Sequence, residues 1–228
     1  MSPIAENLPP SGFRRVGVPS PALGVLQSYA DLPADPYCPG RFRRFSQLRM
    51  EWLGDAWRST LLEHRPHVQS RRHNNFVGGV LREFEPVLAD LTGLIDFAAR
   101  GLGLDTAEVW QVDLHQWRTA CEPGQQRASV PEGIHRDGHV FAAVLVLRRK
   151  GVEGGVTQLF GEDHSQPLEE FVLESGQGIL FDDQRLAHNT TAVHAAAEGR
   201  GERDIVVIDF NPWAERRYGA EFEARVVS

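Results

Sequence analysis

From about residue 105 to 212 the chain breaks into short runs of β-branched and aromatic residues, separated by Gly, Pro and Asp at intervals too short for helices. This punctuation limits the possible folds more than any other feature. Five runs stand out, at 108–118, 138–147, 156–160, 178–182 and 204–210, with a shorter one at 190–194. Short strands at this spacing, preceded by a helix, predict a mainly β protein with flanking helices and a jelly-roll, cupin-like core. The helix is expected over about 80–102, where Leu81, Phe84, Val87, Leu88, Leu91, Leu94, Ile95 and Phe97 recur at three- and four-residue steps. Pro86 would restart or kink it, and the glycines at 101 and 103 would end it. Residues 1–77 are rich in Pro, Arg and aromatics and read as an extension packed on the core, with a strand at 40–45 and a short helix at 50–63. No repeat or linker divides the 228 residues, so one domain is the simplest account, with the jelly roll over about 105–212.

Charge and apolar runs exclude several function classes. Lys and Arg number 24 against 31 Asp and Glu, and a net charge of −7 argues against a general nucleic-acid or anionic-membrane binder. The longest apolar run, 140–147, is far short of the roughly 20 residues that cross a bilayer. Only two cysteines are present, Cys38 and Cys121, and residues 1–10 lack a basic stretch followed by an apolar one. A cytoplasmic protein without a disulfide framework is expected. Its expected partner is a small molecule, with no nucleic acid and no membrane; a homodimer is left open.

Two of the nine histidines stand in a chemically unusual pattern: His135-Arg136-Asp137, followed 53 residues later by His188. Side chains two apart on a strand share a face, so His135 and Asp137 can grip one ion. A third ligand from a later strand would give two imidazoles and a carboxylate on one side of the metal, the arrangement of non-haem Fe(II) oxygenases. Such short patterns also arise by chance. The alternative is a non-catalytic interaction domain in which His135 and His188 are core residues.

Downstream of this pair come Gly154-Gly155-Val156-Thr157, then 176–182 (Gly-Gln-Gly-Ile-Leu-Phe-Asp), then 186–193 around His188, and finally Arg203-Asp204 followed by four apolar residues and Asp209-Phe210. With these motifs the chain, over roughly 36–212, resembles the iron- and 2-oxoglutarate-dependent dioxygenases on the double-stranded β-helix. It is most similar to the bacterial isoleucine dioxygenase group, which hydroxylates free amino acids. The resemblance implies Fe(II) held by His135, Asp137 and His188, with 2-oxoglutarate and dioxygen as co-reactants. It also implies hydroxylation of an unactivated C–H bond of a free L-amino acid or close analogue, with release of succinate and CO2. Arg203, 15 residues after His188, matches the residue that clamps the distal carboxylate of 2-oxoglutarate, a task for which a planar guanidinium is suited. The segment 194–202 is long for the family, and Arg200 is the reserve if the register differs. Gln116 and Arg118 also match the family's strand before the His-x-Asp. They meet the cosubstrate or substrate if their shared face points inward, and are a solvated edge if outward. The rival is a cupin-like metalloenzyme or small-molecule-binding barrel without 2-oxoglutarate, in which Arg203 is a structural ion pair.

Other residues have weaker claims. Phe141 and Ala143 share strand parity with Asp137, so Phe141 either walls the pocket or belongs to the core. His139 is either a group beside the metal or ordinary barrel packing. Arg41, Arg43, Arg44 and Arg49 are expected to pair with acids, with one of them a candidate for a substrate carboxylate. His64, His67 and His73 are expected at the surface. Cys121 has no base at a motif spacing, and Glu153-Gly154-Gly155 lacks the residues of a phosphate loop.

Overall fold

The computed structural model describes residues 6–196 and 199–227. In chain order the strands are β1 (Phe13–Gly17), β2 (Arg41–Leu53), β3 (Ala56–Leu61), β4 (Trp110–Cys121), β5 (Gln126–Arg127), β6 (Phe141–Lys150), β7 (Val152–Gly154), β8 (Val156–Phe160), β9 (Glu169–Val172), β10 (Gln177–Asp182), β11 (Ala187–Thr190), β12 (Val193–Ala195) and β13 (Gly201–Pro212). The helices are α1 (Leu23–Gln27), α2 (Thr92–Leu102) and α3 (Ala220–Val227). Seven strands form the major sheet in the order β1-β10-β6-β13-β4-β2-β3, and two three-stranded sheets, β11-β8-β9 and β5-β12-β7, complete the jelly roll.

Strand alternation divides the molecule into two apolar layers. On β13, Val206, Ile208 and Phe210 point to the outer face of the major sheet, where α2 covers them together with Trp110, Val112 and Leu145. The intervening Ile205 and Val207 point inward to Phe181, Leu159 and Ile179. Gly101 lets α2 approach the sheet closely, since a Cβ there would stand 2.5 Å from Leu180 Cδ1. Gly103 then ends the helix with φ +70°, its N–H donating to Ala99 and Arg100 carbonyls.

Of the two expected helices one does not form and the other is shortened. Residues 50–63 belong to the β2–β3 hairpin, which turns at Gly54 with φ +70° and sets Trp52 opposite Trp57. Residues 41–61 are thus two strands of the major sheet rather than an extension lying on it. The helix expected over 80–102 starts only at Thr92. Pro86 disfavours helical geometry at Glu85, whose carbonyl instead accepts the Phe45 N–H at 3.0 Å. That extended path leaves Leu81 and Leu88 exposed and buries Phe84. No helix among the described residues is long and apolar enough to cross a membrane.

Candidate metal centre

His135 and His188 are brought together by backbone, through a two-residue antiparallel bridge in which each N–H donates to the other's carbonyl, at 3.0 and 2.8 Å. Their rings lie 4.3 Å apart, and both Nε2 atoms stand 3.4 Å from the Asp137 carboxylate, one on each oxygen. Asp137 does not reach this point by strand parity. It precedes β6, and Gly138, at φ +85°, breaks the strand. Instead, Asp183, fully buried after β10, accepts the N–H groups of Asp137, Gly138 and His139 at 3.0, 2.7 and 2.9 Å. Because Gly138 resets the alternation, Phe141 and Ala143 face the outer core with Trp110, and Val144 faces the cavity.

The donor set suits a divalent ion. His135 Nδ1 lies 2.8 Å from the Gly133 carbonyl, which assigns its proton to Nδ1 and frees Nε2 as a ligand. Burial lowers the pKa of His135, but the hydrogen bond and charge of Asp137 outweigh it and push it up to about 9. His188 is pushed down to about 4 by burial and the charge of His135. Burial also opposes ionisation of Asp137, yet the two imidazoles hold its carboxyl well below the usual range. A proton on His135 thus sits where a cation would replace it.

A second cluster, His67, Asp113 and His115, also gathers metal-ligand atoms. Its ligand atoms are already engaged: the Asp209 carboxyl stands 3.5 Å from His115 Nε2. The Arg43 guanidinium donates into His115 Nδ1 at 2.7 Å, and Asp113 is taken up by the side-chain amides of Gln47 and Gln111. Burial pushes the Asp113 carboxyl up to about 7, against the Gln47 hydrogen bond. The folded protein therefore binds this proton below about 7, the unfolded chain only near about 3.9, so its stabilisation is complete below 3.9 and is lost as pH rises through 7. Relative to the wild type, Asp113→Asn is expected to lose about 1.4 kcal/mol for each pH unit lowered between those limits. Parallel urea-unfolding series at pH 7 and 5 measure this difference, and identical slopes would contradict a protonated Asp113.

Arg203 lies on the inward face of β13 and lines the same cavity as the His-Asp-His cluster. It is 1% exposed, its Nε and Nη2 have no partner, and among the described residues no carboxylate lies within 4 Å of it. Burial and the charge of Arg149 push it down to about 10. A buried guanidinium with free donors fits an anion such as the distal carboxylate of 2-oxoglutarate, and the reading as a structural ion pair finds no acid. β13 is hydrogen-bonded to β4 and β6 and not to the strand of His188, which it faces across the cavity. Arg200 lies outside, near Glu122 and Glu202. The long segment around it includes Ala197 and Glu198, which lie outside the described residues.

Gln116 and Arg118 are not brought to this cavity. Both sit on the outer face of β4, where Arg118 makes a two-pronged pair with Asp204 at 2.6 and 2.9 Å and Gln116 donates to Ser28 Oγ. The residues of β4 that line the cavity are His115 and Trp117. His139 is buried beside the centre. Its Nδ1 accepts from Asn211 and its Nε2 is 3.8 Å from Asp113. His67, expected at the surface, is 5% exposed and stacks edge-on against Phe45 and His115. Gln69 and Asp183 escaped the sequence reading. Gln69 donates to Asp137 Oδ1 at 3.3 Å while accepting from Arg82 and Asn74. The acidic pair Asp182-Asp183 at the end of a strand was the available signal for Asp183.

Solved structures of similar shape include a bsmA homolog from Methylobium petroleophilum PM1, 26% identical over 90% of each chain with a TM-score of 0.73. IDO from Bacillus thuringiensis is 17% identical, over 88% of this chain and 94% of that one, with a TM-score of 0.70. The Fe(II)/α-ketoglutarate-dependent dioxygenase TqaL is 18% identical, over 86% and 76%, with a TM-score of 0.61. These last two share the fold. No curated protein matches the sequence significantly. The family model described as 2OG-Fe dioxygenase matches residues 26–209, a span that holds every residue of the His-Asp-His cluster and Arg203. With most of its length so matched, this chain belongs to the 2OG-Fe dioxygenase family.

Proposed function

We propose that the protein hydroxylates a C–H bond of a free L-amino acid or close analogue, using Fe(II) held by His135, Asp137 and His188 and 2-oxoglutarate anchored by Arg203. The observation that carries this reading is the shared cavity, into which both the three ligand side chains and the unpartnered Arg203 guanidinium project. Iron with 2-oxoglutarate supplies the activation of dioxygen and the oxidising power, with succinate and CO2 as co-products. The chain's own contribution is placement. Asp183 fixes the backbone that carries Asp137, and the Gly133 carbonyl fixes the tautomer of His135. The Phe181 ring packs edge-on against His188 at 5.0 Å, and Val144, Ile205 and Val207 add apolar wall. That surface limits water around the reacting atoms.

A free amino acid suits the remaining lining. Arg43 and Arg82 offer positive charge to its carboxylate, and Asp209 Oδ1, on a carboxyl that burial and the charge of Asp137 push well up, is an unpartnered oxygen that can accept a hydrogen bond from the amine. Under anaerobic conditions, Fe(II) plus 2-oxoglutarate is expected to give a weak visible charge-transfer band. In air, one or more L-amino acids should then stimulate succinate release with a product heavier by one oxygen atom. A band without amino-acid stimulation would reject the substrate assignment, and no band would reject the cofactor assignment.

A further inference from the structure

Arg43 projects from the inward face of β2 and is 4% exposed. It is held firmly: Nη2 bonds His115 Nδ1 at 2.7 Å, and the guanidinium lies 4.3 Å from the Phe84 ring centroid and 5.6 Å from that of Trp117. Its Nε has no partner. Arg82 is 3% exposed and comes from the segment bridged to His67; its Nη2 donates to Gln69 Oε1 at 2.8 Å, and its Nε is also unpartnered. Among the described residues neither arginine has a carboxylate within 4 Å, whereas the neighbouring Arg41, Arg44 and Arg49 pair with Asp35, Glu85 and Glu51.

Buried guanidiniums without counter-ions are costly, and a cavity that keeps them is built to receive an anion. 2-Oxoglutarate does not account for these two. In the β2-β4-β13 register, Arg43 stands level with Trp117 and Ile205, so it is two strands from β13 and displaced along it from Arg203. Two inter-strand spacings are roughly 10 Å, which makes Arg43 a separate pole of the cavity. Gln69 links Arg82 to Asp137, so this second pole also adjoins the metal cluster.

We propose that Arg43, supported by Arg82, is the specificity determinant that takes the carboxylate of the substrate, so that the enzyme acts on small carboxylate anions and rejects their amides. This rests on the dioxygenase reading above and deepens it, since it assigns the recognised group without requiring the α-amine.

The test uses anaerobic protein loaded with Mn(II) and 2-oxoglutarate. Binding is read by thermal melting and calorimetry against three matched sets: L-amino acids, their α-carboxamides, and the corresponding carboxylic acids without the amine. The tightest carboxylate is expected to lose about 10- to 100-fold in affinity as its amide, and as much again in Arg43→Met. Arg43→Lys should recover part of the loss, because it keeps the charge and loses the planar fork. The 2-oxoglutarate affinity of these variants should change by less than about threefold. Arg82→Met supplies an independent weakening should Arg43→Met fold poorly. Arg43-dependent binding of the deaminated acids alone would remove the amino-acid reading and leave the carboxylate anchor standing. Equal binding of acids and amides, carboxylate binding indifferent to Arg43 and Arg82, or no carboxylate bound at all would each overturn the anchor.

Discussion

His188→Ala is expected to abolish iron-dependent succinate formation and to weaken divalent-metal binding by more than the roughly 10- to 100-fold that follows loss of a supporting partner. The protein should remain folded, because the bridge between residues 135 and 188 is made by backbone groups and survives removal of the imidazole. Metal titration and a melting curve on the same sample separate these effects. Near-normal turnover in the variant would remove His188 from the ligand set and shift attention to the cluster of His67, Asp113 and His115.

Arg203→Met is expected to act on function and stability in opposite directions. Loss of the guanidinium should raise the 2-oxoglutarate requirement by about two to three orders of magnitude, the usual consequence of removing one partner from a buried charge-assisted pair. Without cosubstrate, Arg203 is a buried charge pushed down from the usual guanidinium range to about 10, which corresponds to a cost on the order of 3 kcal/mol to the charged form. Methionine fills similar space without that cost, so the cosubstrate-free variant should melt at the same temperature as the wild type or higher. 2-Oxoglutarate should no longer raise that temperature. An unchanged 2-oxoglutarate requirement would dissociate Arg203 from the cosubstrate.

The later strands were legible because β-branched and aromatic runs stand between turn residues; the run at 156–160 coincides with β8 and that at 178–182 nearly with β10, while that at 190–194 spans the end of β11 and the start of β12. The same logic failed for the β2–β3 hairpin, whose apolar residues on both faces imitate a helical period, with Gly54-Asp55 as the overlooked turn signal. Leu81, Val87 and Leu88 likewise fitted a helical stripe, but Pro86 and pairing to β2 overrode it. His135, Asp137 and His188 were found through their order in the chain, although the parity argument for the first two does not describe how Asp183 and Gly138 place them. Gln116 and Arg118 were placed by likeness to a motif, while the face of β4 they occupy is set by the sheet's outer layer. His67 was illegible as a cavity residue, and Arg43 could not be singled out from Arg41, Arg44 and Arg49, because burial of a polar side chain depends on long-range packing, here by Phe84 and Phe45.

The bridge between residues 135 and 188 also bears on how ion binding depends on the chain between them. Bringing together ligands so far apart in sequence would ordinarily charge the ion with the entropy of closing a long loop. Here two backbone hydrogen bonds close that loop as part of folding. The chain between the ligands, including the exposed turn at 162–166, can therefore lengthen or shorten in related sequences with little effect on metal affinity. Variation in length and constancy of ion binding become separable properties of the same barrel.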